Sequence, residues 1–359
     1  MTHWDSPAAP LADWKPLEKL VAAKQRFVLT THMNPDGDGL GSEVALALYL
    51  QSQGKDVTVL NDGAVPPNFE FLERLFPMQP FDETWAREVV DGADVLILLD
   101  TAVRPRLGRV APLLSRAGLE IVILDHHLGE PKFGSLAIVV PGACAAGELV
   151  YDFVRRQPGG ITEPIAAALY TALVTDTGSF RFANTDPEAH AMAAHLVSAG
   201  AAPEALHAVI YQHRHPGRVR FQGHVWSCLQ LSDDGRVAWM EVSRDTMHHY
   251  GVDSTDTEGL VDFPRNIKGV EAVALVSETA SGECKISLRS TGRVNVERVA
   301  AAFGGGGHRA AAGATLPGPL ATGRERVVAA LHAAVEEAIA GDGHTSPVPN
   351  QKVPRAAAS

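Results

Sequence analysis

The 359-residue chain is 45% hydrophobic and 20% charged, with a formal net charge of −11, a composition that fits a folded protein with room for two domains. The acidic balance excludes a broad basic surface that coats long nucleic acid, but not a short phosphorylated substrate held by a few local cations. Cys144, Cys228 and Cys284 are too scattered for a disulfide framework or a thiolate zinc site; with no signal-peptide pattern and no membrane-length apolar run, a cytoplasmic protein away from membranes is expected.

From about residue 17 to 140, helix-like segments alternate with short apolar runs. "RFVLTTH" leads into the helical "SEVALALYLQSQG", with Gly54 as its C-cap. "KDVTVLND", "ADVLILLD" and "LEIVILDHH" follow. Each is rich in β-branched residues and leucine and too apolar to face water, as suits parallel strands covered on both faces. The pattern predicts a doubly wound α/β domain with a mostly parallel sheet.

The acids stand where these runs end. The first run opens into "THMNPDGDGLGS", which carries His32, Asp36 and Asp38; others end at Asp100 and at Asp125-His126-His127. Ligands in such sheets bind at the carboxyl ends of strands, so these residues converge on one crevice. A solvated turn is the plain alternative for the first loop. An EF-hand is excluded, although Asn34, Asp36, Asp38 and Gly39 match its start, because Ala45 stands where a bidentate Glu is required.

"AAGELVYDFVRRQPG" reads as a helix, and "TEPIAAALYTALVTDTGSFRFANTD" as a second one giving way to a loop near Asp176. Two short helices over 187–212 close the first domain. "HRHPGRVRFQG" reads as a polar connector, which sets the domains at 1–215 and 223–340 with a linker at 216–222. The second, smaller α+β domain holds strand-like "RVAWMEVS", "VEAVALVSE" and "ECKISLRS", then the helix "NVERVAAAF". Residues 341–359 read as a disordered tail.

Together His32, Asp36, Asp38, Asp100, His126 and Asp176 offer more ligands than one zinc ion takes. Oxygen-rich coordination with some imidazole suits two divalent cations, Mn²⁺ first, with Mg²⁺ or Co²⁺ as substitutes. Two such ions about 4 Å apart activate water and clamp phosphoryl oxygens, so hydrolysis of a phosphate ester or anhydride is expected. In the second domain, Arg289 and Ser290 end a strand, and the run Gly304–Gly307 precedes His308 and Arg309. A glycine run is as often a flexible linker; here it follows an apolar helix and allows close approach to backbone N–H groups. Arg289 adds a bidentate phosphate contact. His190, His195 and His207 read as surface or packing residues, whereas Arg104, Arg106 and Arg181 could flank the crevice.

The loop "HMNPDGDGLGS", the aspartate of "LILLDT", the "LDHH" triplet and "LVTDTGSF" resemble, in order, the four motifs of the DHH phosphoesterase superfamily. "SLRS…VNVERVAAAFGGGGHRAAAG" resembles its C-terminal DHHA1 substrate-binding domain. The resemblance implies an active site in the interdomain cleft. It implies one metal held by His32, Asp36, Asp100 and Asp176, and a second by Asp38, Asp100 and His126, with Asp100 as the bridge. His127 would face the scissile phosphate, Asp125 would support the triplet, and Arg289, Ser290, Gly305, Gly306, Gly307 and His308 would hold the substrate's far phosphate or terminal nucleotide.

The expected activity is that of the stand-alone members: conversion of short oligonucleotides to mononucleotides and of 3′-phosphoadenosine 5′-phosphate to AMP. A cyclic or linear dinucleotide is the alternative substrate, and a nucleotide-sensing regulator the non-enzyme alternative. A pyrophosphatase is disfavoured because that branch has a different C-terminal domain, and a processive exonuclease because no oligonucleotide-binding domain is evident. A homodimer is compatible with the resemblance, though nothing in the sequence specifies one.

Overall fold

The computed structural model describes residues 9–342 apart from 80, 130, 132, 213 and 214, with backbone alone at 341–342. The expected tail lies outside the described residues beyond 342. The chain divides into two compact units between residues 213 and 214.

The first unit begins with α1 (Lys15–Ala23), β1 (Arg26–Thr30), α2 (Gly37–Ser52) and β2 (Asp56–Leu60), then α3 (Glu70–Glu73), β3 (Met78–Gln79), α4 (Glu83–Gly92) and β4 (Val95–Leu99). It continues with β5 (Glu120–Asp125), β6 (Leu136–Val139), α5 (Ala146–Val154), α6 (Glu163–Asp176), α7 (Pro187–Ser198) and α8 (Pro203–His207). Its six strands lie in the order β3-β2-β1-β4-β5-β6, and every pairing is parallel. Apolar residues alternate between two covered faces. Phe27, Leu29, Ile97, Leu99 and Leu124 join one core with α2, α5 and α6, while Val28, Leu96, Leu98 and Ile123 join another with α4. That double burial is why these strands read as continuous apolar runs.

The strand order reverses at β1 and β4, so the crevice of a doubly wound sheet opens at their carboxyl ends. His32 follows β1 and Asp100 follows β4.

The second unit contains α9 (Pro216–Ser227), β7 (Gln230–Leu231), β8 (Val237–Val242), α10 (Arg244–Tyr250), β9 (Ala272–Glu278) and β10 (Cys284–Ser290). After these come α11 (Val296–Ala301), β11 (Gly306–His308), β12 (Ala311–Leu316) and α12 (Leu320–Asp342). Its sheet runs β11-β12-β10-β9-β8-β7, antiparallel except where β8 pairs with β9. Val327, Leu331 and Val335 of α12 cover one face; Phe221 and Val225 of α9 and Met247 of α10 cover the other.

Residues 216–222, expected as a linker, form the first turns of α9. Pro216 sits where a helix leaves its first N–H groups unbonded anyway, and His215 Nδ1 accepts a hydrogen bond from the Gly217 N–H at 3.1 Å. Two isolated features, a proline and a polar composition, therefore mark a helix start rather than a break. Among the described residues no helix is long and apolar enough to cross a membrane.

Candidate metal centre

The first loop and α2 form one device. Asp36 caps α2: its Oδ1 accepts from the N–H groups of Asp38 (3.0 Å) and Gly39 (3.1 Å). The glycines of this loop belong to packing. A Cβ on Gly41 would stand 2.4 Å from the Ala168 carbonyl oxygen of α6, and one on Gly37 would meet the Thr175 side chain at 2.4 Å. So α2 lies against α6 backbone to backbone, which brings Asp38 at the start of one helix to Asp176 at the end of the other. Asp38 is fully buried and accepts from the Ala146 and Gly147 N–H groups at the start of α5, at 2.7 and 2.8 Å.

Asp100 leaves β4 with φ 61°. Aspartate tolerates this left-handed conformation better than most residues, and its N–H still bonds the Leu124 carbonyl at 3.0 Å. His32 Nε2 lies 3.2 Å from Asp100 Oδ2 and 3.7 Å from Asp36 Oδ2. His126 Nε2 lies 3.4 Å from Asp100 Oδ1, 3.7 Å from Asp38 Oδ2 and 3.8 Å from Asp176 Oδ2. Three groups of donor atoms result, each within 4.8 Å of one another: His32, Asp36 and Asp100; Asp38, His126 and Asp176; and Asp100, His126 and His127. All six sequence-selected ligands are thus in one place, with Asp100 common to two of the groups.

The donors fit divalent cations. His32 Nε2, Asp100 Oδ1 and His126 Nε2 are buried with no hydrogen-bond partner, and orphaned polar atoms of this kind are rare in proteins. Four carboxylates and imidazole match Mn²⁺ or Mg²⁺. The electrostatics agree. Burial pushes the His32 imidazole down, but the carboxylates of Asp100 and Asp36 outweigh it and hold it at about 9. His126 stands at about 10, where burial is overcome by Asp100, Asp38 and Asp176. Burial raises Asp176 to about 6, helped by Asp100 and opposed by His126. Asp38 is raised too, by burial and by Asp100 and Asp176. Protons and divalent cations would therefore compete for the negative charge gathered here.

Neighbouring groups fix the candidate ligands. Asp125 Oδ1 accepts from the N–H groups of His126 (2.8 Å) and His127 (3.2 Å) and lies 2.8 Å from His127 Nδ1. Asn184 is not legible as a site residue in the sequence. Its Nδ2 donates to Asp176 Oδ2 (3.1 Å), the Asp176 carbonyl (3.1 Å) and the Cys144 carbonyl (2.8 Å). The one signal is an Asn eight residues after a ligand, in a loop that must close back on it. Asn61 and Glu43 escape sequence reasoning as well. Asn61 accepts from the Thr31 N–H at 3.0 Å and donates to Glu43 at 2.7 Å; Glu43 is fully buried, and burial raises it to about 8.

The segment after Asp176 is strained: Gly178, Ser179 and Phe180 follow one another at φ 55°, 57° and 65°. For the two residues with side chains this costs on the order of 1–3 kcal/mol each. Arg181 Nε donates to the Gly178 carbonyl at 2.6 Å, and Arg104 to the Ala111 carbonyl and Ser115 Oγ, at 3.1 and 2.7 Å, so both guanidiniums have partners within their own segments. His190 stacks on Phe180 with ring centroids 4.9 Å apart, and the Tyr151 hydroxyl lies 2.7 Å from His195 Nδ1, as packing residues do.

In the second unit, Gly305, Gly306, Gly307 and Arg289 line an open pocket of about 720 Å³ with Lys285 and Ser287. Arg289 Nε is held by Asp262 at 3.1 Å, and His308 ends β11 at the surface. Ser290 has another place than expected. It is fully buried, donates to the Val294 carbonyl at 2.7 Å and accepts from the Gly292 N–H at 3.2 Å. The strand period of two turns it inward with Cys284 and Leu288, both fully buried, and its hydroxyl serves the turn and does not line the pocket.

Known proteins resemble the chain over most of its length. Residues 26–175 match the DHH family N-terminal domain, and residues 234–341 the DHHA1 domain. The chain is 33% identical over 315 residues to the bifunctional oligoribonuclease and PAP phosphatase NrnA of Thermus thermophilus, covering 88% of this chain and 91% of that one. A probable bifunctional oligoribonuclease and PAP phosphatase NrnA of Streptococcus mutans is 28% identical over 295 residues, 82% of this chain and 90% of its own. The crystal structure of an exopolyphosphatase-related protein from Bacteroides fragilis superimposes with a TM-score of 0.84 at 27% identity, over 90% of this chain and 95% of that one. A metal centre built on strand ends, two matched domains in the same order and a relative alike over nearly its whole length lead to one conclusion: the chain belongs to the DHH/DHHA1 phosphoesterase family.

Proposed function

We propose that the protein is a divalent-metal phosphodiesterase that converts very short oligonucleotides to mononucleotides and 3′-phosphoadenosine 5′-phosphate to AMP. The observation that carries the chemistry is the convergence of buried, orphaned donors on Asp100. The substrate class rests on the relatives named for these two activities.

His32, Asp36, Asp100 and Asp176 would hold one cation, and Asp38, Asp100 and His126 the other. When bound, the cations activate water and clamp phosphoryl oxygens for in-line displacement. The remaining work falls to the chain. Asp125 fixes the His127 ring, which lies 3.5 Å from Asp100 through Nδ1; His127 then donates to the scissile phosphate and stabilises its developing charge. Burial of Asp38 and Asp100 keeps competing water from the ligands. In the second unit, Arg289 holds a further phosphate or terminal nucleotide, which the side-chain-free run Gly305–Gly307 lets approach the main chain closely, with Asp262 setting the guanidinium's direction.

Product analysis with Mn²⁺ tests this on a matched panel: 3′-phosphoadenosine 5′-phosphate, RNA of two, five and twenty-four nucleotides, and cyclic di-AMP. The reading predicts preferred conversion of the bisphosphate and the dinucleotide to mononucleotides. Faster opening of the cyclic dinucleotide would keep the chemistry and replace the substrate; no turnover of any member with metal bound would overturn the proposal.

A further inference from the structure

Four of the eight large apolar side chains exposed among the described residues sit on ligand-bearing loops: Met33 after His32, Val103 after Asp100, Leu128 after His127, and Phe182 beyond Asp176. Single exposed apolar residues are ordinary. Phe182 is not, because the chain is built to hold it. A Cβ on Gly178 would fall 2.4–2.6 Å from three atoms of the Phe182 ring, so the ring is seated directly against the glycine backbone. Phe182 is nevertheless 47% exposed. Ser179 and Phe180, with Asp100, are the described non-glycine residues at positive φ, so the backbone accepts an unfavourable conformation to turn this segment. Its other ties are local: the Phe182 N–H donates to the Thr177 carbonyl and its carbonyl accepts from Thr185, both at 3.0 Å. Asn184, two residues on, bonds the Asp176 carboxylate at 3.1 Å. The aromatic is therefore fixed relative to a candidate metal ligand, with one side backed by main chain and the rest open.

From this geometry we infer that Phe182 is a stacking platform for the nucleobase adjoining the scissile phosphate, and so a specificity-determining residue that favours nucleotide diesters over diesters without a base. The inference rests on the phosphodiesterase reading above and adds the base to what that reading assigns only to phosphates. Every base has a π-face, so the platform selects for a base without selecting which one. Gly178 is part of it, since any side chain there would displace the ring.

The test compares kcat/KM on a diadenosine diester and on the same sugar–phosphate diester lacking bases, with Mn²⁺. Wild type is expected to prefer the base-bearing compound by about ten-fold or more. In Phe182→Ala this preference collapses towards one, chiefly through KM, and in Phe182→Trp it is restored. Phe182→Leu, which keeps apolar bulk without a π-face, groups with alanine. Preference retained in Phe182→Ala, or restored by leucine as well as by tryptophan, would overturn the inference and leave the phosphodiesterase reading standing. Wild type that cleaves neither compound would overturn both.

Discussion

At the scale of single residues, the candidate centre depends on groups that aim its proposed ligands. Asn184 ties the Asp176 carboxylate to the Cys144 carbonyl, and outer partners of this kind are worth about 10–100-fold in metal affinity. Asn184→Ala is therefore expected to weaken Mn²⁺ binding by that factor in calorimetry while the fold persists; unchanged affinity would remove Asn184 from the centre. The contrast with the proposed ligands shows what a sequence reveals. His32, Asp100 and His126 are legible because each ends an apolar run, and a parallel strand end in this fold is a site. Asn184, Asn61 and Glu43 are not, because a neutral amide in a loop or an acid within a helix carries no local sign of its partners. Ser290 misleads for another reason. Its residue type suits a phosphate, but the alternation of β10 already assigns its face, and period outranks type.

At the scale of elements, the close contact of α2 and α6, made through Gly37 and Gly41, brings the donors of the candidate metal centre together. Gly41 permits it, with the Ala168 carbonyl where its Cβ would be. Gly41→Ala overpacks this contact and is expected to cost about 1–3 kcal/mol in denaturant unfolding and to weaken cation binding, because separating the helices moves Asp38 from Asp176. A variant as stable and as metal-binding as wild type would refute this role for the loop. Strands and long helices are predictable from their periods. The glycine-rich run suggests a phosphate cradle, and part of it proves to be an edge strand, β11, paired with β12. The start of α9 is hidden because Pro and Gly signal both a break and a helix beginning.

At the scale of the whole molecule, the charge of the centre links stability to pH and to cations. His32 and His126 stand at about 9 and about 10, above the ordinary imidazole value of 6.5. Their contribution is fully present below 6.5 and is lost as pH rises through 9–10. Metal-free protein should thus lose thermal stability between pH 7 and pH 10, while cation binding, which must displace those protons, should release them at pH 7 and offset the loss. Thermal melts with and without Mn²⁺ across this range, and calorimetry in buffers of differing ionisation enthalpy, check both. A flat metal-free profile, or binding without proton release, would contradict this balance of charge between protons and cations.

The central claim is that Asp100 joins two cation sites into one hydrolytic centre. Its most direct test is electron paramagnetic resonance of the Mn²⁺-loaded protein, read beside hydrolysis of a dinucleotide, for wild type and Asp100→Ala. Wild type should bind two ions with a spin-coupled signal and turn over; Asp100→Ala, folded by circular dichroism, should lose the coupling and at least about a thousand-fold in rate. A coupled pair or near-normal turnover in Asp100→Ala would contradict that claim at its foundation.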